Sequence, residues 1–270
     1  MNSHREAIVS LNARAMQIET FSINNKETIS SGASKIGGCP DLLNDIDWPS
    51  WKSVSLSFLC QINLADMAGF NCAEALPKSG LLSFFYHAEQ ATWGFDPKDR
   101  GSWKVLYYDG PLEKLNRQSF PEDLPEEGQY EEAGIIFKET VTLPPWESKA
   151  ITELDFTDEQ KDAYIGLLEE LDESGCHRMF GHPAQIQGDM QLQCQLVSNG
   201  LYCGDSSGYE DPRRAQLEKG TKDWVLLLQL DSDEQVNMMW GDCGRLYFWV
   251  RKDDLEARDF EHVWMVIQCH

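Results

Sequence analysis

Apolar positions recur along the chain with two periods. Residues 54–63, 81–87 and 103–108 are dense in aromatic and aliphatic side chains and bounded by Gly, Pro and Asp. Such runs read as strands. Residues 224–230, 236–239, 245–251 and 263–269 read the same way, and 135–143 returns briefly to strand before Pro144 and Pro145 break the chain. Two stretches carry the helical period instead. Within 3–20, Ile8, Leu11, Ala15 and Ile18 fall three or four apart, which predicts an amphipathic helix against the first half of the chain. Within 157–174, Tyr164, Leu167, Leu168 and Leu171 form a similar stripe. Thr157-Asp158-Glu159-Gln160 before it has the form of a capping box, and Gly175 is placed to end the helix. Residues 204–222, rich in Gly, Ser and charge, read as a long loop.

These elements come round twice in the same order. Gly38-Cys39-Pro40, Leu59-Cys60-Gln61-Ile62-Asn63 and Gly80-Leu81-Leu82-Ser83-Phe84-Phe85 make one series. Gly181-His182-Pro183, Leu227-Leu228-Gln229-Leu230-Asp231 and Gly244-Arg245-Leu246-Tyr247-Phe248-Trp249 make the other. A turn, a buried strand and a second turn-strand recur together when the same packing recurs, so the order predicts an internal duplication. The expected layout is a single domain over 1–270, with a first repeat at 20–120, an acidic connection at 121–150 and a second repeat at 155–270. The helix at 157–174 would stand as the hinge between the copies.

Charge changes the picture more than size does. The 270 residues carry a net charge of -22, with 13 bases against 21 acids up to residue 150 and 10 against 24 after it. Six acids, Glu122, Asp123, Glu126, Glu127, Glu131 and Glu132, fall between Pro121 and Ala133 without a base, which predicts an exposed connection that supplies no core. A surface of this sign repels phosphate backbones and excludes nucleic acid as a partner, while it steers basic partners inward. Solubility alone accounts for such a charge equally well. The longest apolar runs, 224–228 and 263–267, are far short of a membrane span, and residues 1–17 lack the continuous apolar stretch of a secretory signal. A cytoplasmic protein with no membrane partner is expected, its eight cysteines reduced.

Candidate chemistry is sparse. Asp231 and Asp233 follow a buried-looking strand and Asp242 comes soon after, a set whose oxygens suit a hard cation. Gln187 and Asp189 would lie nearby across the duplicated halves, and Trp240 stands between the carboxylates. The same aspartates suit turns, and the calcium-loop pattern fails at Gln235 and Val236. Cys176, His177, His182, Cys194 and Cys203 cluster in sequence without the close Cys pair of a structural zinc site. Gly37-Gly38 beside Lys35 offers backbone donors to an anion or simply a tight turn. Trp48, Trp51, Trp93, Trp103 and Trp146 lie near turns where rings grip partners, whereas Trp224, Trp249 and Trp264 fall in core strands. No catalytic residue, cofactor or metal is assigned.

The runs Lys35-Ile36-Gly37-Gly38-Cys39-Pro40 with Trp48-Pro49, Gly181 to Met190, Leu226 to Asp233, Met238 to Trp249 and Val263 to Cys269 give the chain a further reading. Through them it resembles the YwqG-like family of bacterial proteins, departing at His182, where the family tends to have an aromatic residue. The resemblance implies an α+β fold of mainly antiparallel β-sheet, with two similar halves and a few flanking helices. It brings no catalytic residues. It implies a binding role of the kind held by immunity proteins, with a basic protein such as a toxin as the partner. The alternative is a metal-dependent enzyme or small-ligand binder built on the acidic cluster of the second repeat.

Overall fold

Ala13–Ser22 is a strand, β1, hydrogen-bonded along both edges at the middle of a large sheet. The helix expected over 3–20 is confined to α1, Arg5–Ser10. The period of three and four seen from Ile8 to Ile18 does not decide the structure, because two long-range partners satisfy the backbone of β1 and override local spacing.

In this computed structural model, which describes residues 4–23, 28–172 and 177–270, the fold is α+β. The further strands are β2 (Lys35–Ile36), β3 (Asp41–Leu42), β4 (Ser50–Trp51), β5 (Val54–Asn63), β6 (Leu81–His87) and β7 (Trp103–Tyr108). After them come β8 (Asn116–Arg117), β9 (Ala133–Thr142), β10 (Arg178–Phe180), β11 (Trp224–Asp231), β12 (Arg245–Arg251) and β13 (Trp264–Gln268). Ten strands follow one path, β13-β12-β11-β10-β1-β9-β2-β5-β6-β7, with β4 attached to β5 and a separate β3–β8 pair. The pairings are antiparallel. On either side of the central β1–β9 ladder the strands leave in chain order, and the first hairpin on each side has its register shift in the same place, between Phe58 and Cys60 and between Leu226 and Leu228.

The sheet curls until its two ends meet. Trp103 of β7 stacks edge-on to Trp264 of β13 at 4.9 Å between centroids and donates its indole N–H to the carbonyl of Val263. Deeper in, Phe84 of β6 meets Phe248 of β12 at 5.3 Å. The main core fills this concave side, with α4 (Gln191–Ser198) packed on β11 and β13. None of the nine tryptophans is exposed; Trp103 is core, and Trp48, Trp51, Trp93 and Trp146 are half-buried. Trp48 donates to the carbonyl of Leu56. The expected rings at loop tips therefore support the fold.

α3 (Asp158–Asp172) confirms the helix read from the sequence, and its capping box is formed: Gln160 accepts the N–H of Thr157 at 3.0 Å and Thr157 that of Gln160 at 3.3 Å. Gly175 lies outside the described residues. The segment expected to be a brief strand is β9, ten residues paired along their whole length with β1. Residues 236–239 are not a strand; a 3-10 turn at Glu234–Val236 and a single bridge from Asp233 to Met238 stand there. The loop at 204–222 folds into α5 (Ser207–Glu210), α6 (Arg214–Leu217) and a 3-10 turn. The acidic stretch before β9 does supply core, since Leu124 and Tyr130 are buried between exposed carboxylates. α2 (Lys149–Thr152) packs with α1 and α3 around Ile8, Ile151 and Tyr164 on the convex face, and α7 (Lys252–Glu256) follows β12.

Candidate functional site

The convex face on the β10–β13 side is crossed by polar side chains. Gln17, Arg178, Gln229 and Tyr247 are register partners in one row across β1, β10, β11 and β12, and Asp231, Arg245 and Gln268 form the next row. These groups fasten the segment 181–188. Ala184 donates its N–H to Gln229 Oε1 at 2.9 Å, while its carbonyl accepts from Tyr247 Oη at 2.7 Å and Arg245 Nη1 at 2.8 Å. Gln268 Oε1 accepts the N–H groups of Ile186 and Gln187, and its Nε2 donates to the carbonyl of Gly188. The Gly-His-Pro-Ala-Gln-Ile-Gln-Gly motif is thus a loop sewn to the sheet by buried side chains. Satisfied polar groups of this kind fix one geometry.

Between this loop and α3 lies a cavity of about 490 Å³. Its floor is Gln17, Thr140, Arg178 and Arg245; one wall is Pro183, Gln185 and Ile186; the other is Leu143, Pro145 and Trp146; and α3 roofs it with Ile165 and Leu168. Gln185 Nε2 donates to Glu147 Oε2 at 3.2 Å and ties the two walls together. Tyr164, fully buried, donates to the carbonyl of Pro144 at 2.7 Å and anchors the roof, while Lys161 Nζ sits 3.9 Å over the Trp146 ring. A volume of this size is that of a small-molecule site.

The β2–β7 side has the same parts in the same places. Lys35 is the register partner of Gln61, as Arg178 is of Gln229. Asp41, following Gly38-Cys39-Pro40, donates its N–H to Gln61 Oε1 at 3.0 Å, as Ala184 does to Gln229. Lys35 Nζ donates to the carbonyl of Cys39, and Arg178 Nη1 to that of His182. Here, however, the β3–β8 pair closes over the floor, and Arg117 enters to bind Asp41 at 2.6 Å and Glu132 at 2.7 Å. Lys35, fully buried, has its ammonium pKa lowered chiefly by desolvation, against the opposing effect of the hydrogen bond it donates to Glu132 at 2.6 Å. Burial would raise the Asp41 carboxyl, but hydrogen bonds from Arg117, Gln61 and the Gly32 N–H outweigh it and hold the pKa below its usual value. What remains is a cavity of about 120 Å³, lined by Leu42, Leu81 and Leu106.

The residues singled out in the sequence divide into two groups. Gln187 and Asp189 belong to the fastened loop and its exit, where Asp189 Oδ1 accepts the N–H of Gln191 at the start of α4. Asp231, Asp233, Trp240 and Asp242 belong to the β11–β12 turn. Asp231 lies 3.2 Å from Arg245 Nε. Asp233 Oδ2 accepts from Thr20 at 3.0 Å and lies 3.2 Å from His177 Nε2. Because His177 Nδ1 accepts the N–H of Asp231 at 3.0 Å, the ring proton sits on Nε2, facing Asp233. That hydrogen bond is the main cause that lowers the Asp233 pKa. Asp242 is exposed, and Trp240, fully buried, donates to the carbonyl of Asp231. The three carboxylates therefore face different partners. Among the described residues only Asp254, Asp259 and His262 bring three metal-type ligand atoms within 4.8 Å of one another, at α7 and the turn that follows it.

His182 Nε2 donates to the carbonyl of Leu11 at 2.9 Å, Cys194 and Cys203 are buried, and Cys176 lies outside the described residues. The N–H groups of Gly37 and Gly38 bond the carbonyls of Leu59 and Tyr130, so the Gly-Gly step is a turn held by protein acceptors. Arg178 and Arg245 were not among the expected site residues. Their signal was an arginine inside an apolar strand of a chain poor in bases.

No helix among the described residues is long and apolar enough to cross a membrane. No curated protein matches the chain. A family model, described as a domain of unknown function (DUF1963), matches residues 34–269, which takes in the fastened loop and the cavity floor apart from Gln17 of β1; the chain belongs to the DUF1963 family.

Proposed function

We propose that this chain is a binding protein whose site is the cavity beneath α3, and that its two sides descend from one duplicated unit. The observation that carries the reading is the contrast between matching positions: about 490 Å³ stands open on one side, and about 120 Å³ on the other, where β3, β8 and Arg117 fill the space. An open, ligand-sized cavity over a floor of fixed polar groups is built for recognition. The test is native mass spectrometry of the protein after incubation with a small-molecule extract of its host. A retained mass on the wild type that is lost from Leu168→Trp, with unchanged melting temperature, supports the reading; a spectrum with no retained mass overturns it.

A second reading, closer to that of the YwqG-like resemblance, is a cytoplasmic, immunity-like protein that captures a basic partner. It is favoured by one surface. Gln90 bonds both Met239 and Gly241, Glu131 donates to the carbonyl of Val236, and Gly128 packs on Ala88, which joins three segments that contain no lysine or arginine. Glu89, Glu126, Glu127, Glu131, Glu234 and Asp242 are exposed there, around an exposed Met239. A pull-down at low and moderate salt that enriches no basic protein removes this reading.

A further inference from the structure

The chain carries 45 acids against 23 bases, yet the charged side chains at the floor of its cavity are two arginines, of which Arg245 is paired with Asp231. Arg178, 8% exposed, stands on β10 with Nη1 3.3 Å from the carbonyl of His182. Arg245 stands on β12 with Nη1 bonded to the carbonyl of Ala184 and Nε beside Asp231. These contacts hold both guanidinium groups at the floor. Among the described residues, the acidic side chains that line the cavity, Glu147 and Glu169, are exposed. The sign therefore changes from positive at the sheet to negative toward solvent, and between them Trp146, Ile165 and Leu168 supply an apolar wall. At the matching floor position on the other side, Leu81 stands where Arg245 does here, in a cavity too small for such a ligand.

We propose that the cavity takes a small oxyanion with a short apolar body, a carboxylate or a phosphate monoester. The head meets Arg178 and Arg245, and the body lies against Trp146 and Leu168. Guanidinium groups match the planar fork of carboxylate and the oxygens of phosphate, and such charge-assisted bonds strengthen where water is scarce. A cationic ligand would meet like charge at the floor, and a neutral one would gain burial alone. This inference rests on the cavity being the binding site.

The experiment is calorimetric titration of the full chain with four compounds that share one body: 3-phenylpropionate, 3-phenylpropyl phosphate, 3-phenylpropan-1-ol and 3-phenylpropylamine. Both anions are expected to bind about tenfold or more tightly than the alcohol, the size of one charge-assisted hydrogen bond. The tighter of the two identifies carboxylate or phosphate as the head. Arg245→Gln brings the anions to the affinity of the alcohol and leaves the alcohol unchanged. Should that variant fold poorly, raising salt on the wild type makes the same distinction, because it weakens the anions and spares the alcohol. If the alcohol or amine binds as well as the anions, the oxyanion proposal is overturned while the cavity reading stands. If none of the four binds, the proposal is also overturned, and the native spectrum decides separately whether the cavity reading survives.

Discussion

Gln229 Oε1 accepts the backbone N–H of Ala184 at 2.9 Å, a buried bond that holds the Gly-x-Pro turn of one side onto its sheet. Gln61 makes the corresponding bond to Asp41 at 3.0 Å. Gln229→Leu keeps the bulk and strips Ala184 of its acceptor, so it is expected to cost about 1–3 kcal/mol, the range for a buried donor left unsatisfied. Amide exchange over 181–188 should accelerate more than elsewhere. Uniform acceleration across the sheet would show that the bond does not specifically hold the loop.

Acid should loosen the protein through two imidazoles, His87, which is buried, and His182, which is half-buried. Burial lowers the pKa of His182 and of His87. Below the unfolded value of about 6.5 the unfolded chain takes up protons that the folded chain refuses. Stability is then flat above that pH and declines as pH falls from there through the folded values. His182→Gln should reduce the difference in melting temperature between pH 7.5 and 5.5; an unchanged difference argues against this source.

Asp233 acts in a lower window. Its pKa is lowered in the fold, first by the hydrogen bond from His177, so its contribution is present above the unfolded carboxylate value of about 3.9 and is lost as pH falls through the folded value. Asp233→Asn should destabilise at neutral pH and converge with the wild type in strong acid. Parallel curves down to pH 2 would contradict the assignment.

Gly37 has φ of +64, and a Cβ there would stand 1.8 Å from the carbonyl oxygen of Glu131. Gly200 has φ of +87 with nothing within 4 Å of an added Cβ. Gly200→Ala should cost about 1–2 kcal/mol, the left-handed penalty alone. Gly37→Ala should cost clearly more and yield little folded protein, as denaturant midpoints and soluble yield will show. Equal costs would mean that β9 shifts freely away from β2.

Thr157→Ala removes one half of the capping box at the start of α3. A loss of about 1 kcal/mol is expected. Because α3 roofs the cavity, the same variant should weaken retention of a cavity ligand without abolishing it.

Strands bounded by Gly, Pro and Asp were legible in the sequence: β5, β6, β7 and β12 fall where the apolar runs predict. β1 was not, because its backbone partners Phe137 and Met179 lie far along the chain and its spacing from Ile8 to Ile18 fits a helix as well. Gln61 and Gln229 stood out as shared grammar, but one sequence does not say that each grips the residue after its Gly-x-Pro proline. The aspartates were read by the chemistry they offer. The pairing of Asp231 with Arg245 and of Asp233 with His177 depends on register between β10, β11 and β12. The cavity lay beyond reach for a similar reason: its floor, walls and roof come from separate stretches at 17, 140–147, 165–171, 178–186 and 245.

The central position of β1 also bears on synthesis. Ala13–Ser22 leaves the ribosome long before β9 at Ala133–Thr142, and longer still before β10 at Arg178–Phe180. During that interval the strand has neither of its neighbours, while β5, β6 and β7 can already pair. Assembly of the middle of the sheet must wait for most of the nascent chain, which makes folding slow and leaves an unpaired strand open to stray association. A ribosome stalled before residue 133 would carry a hairpin stack and β1, with the central β1–β9 ladder still unformed.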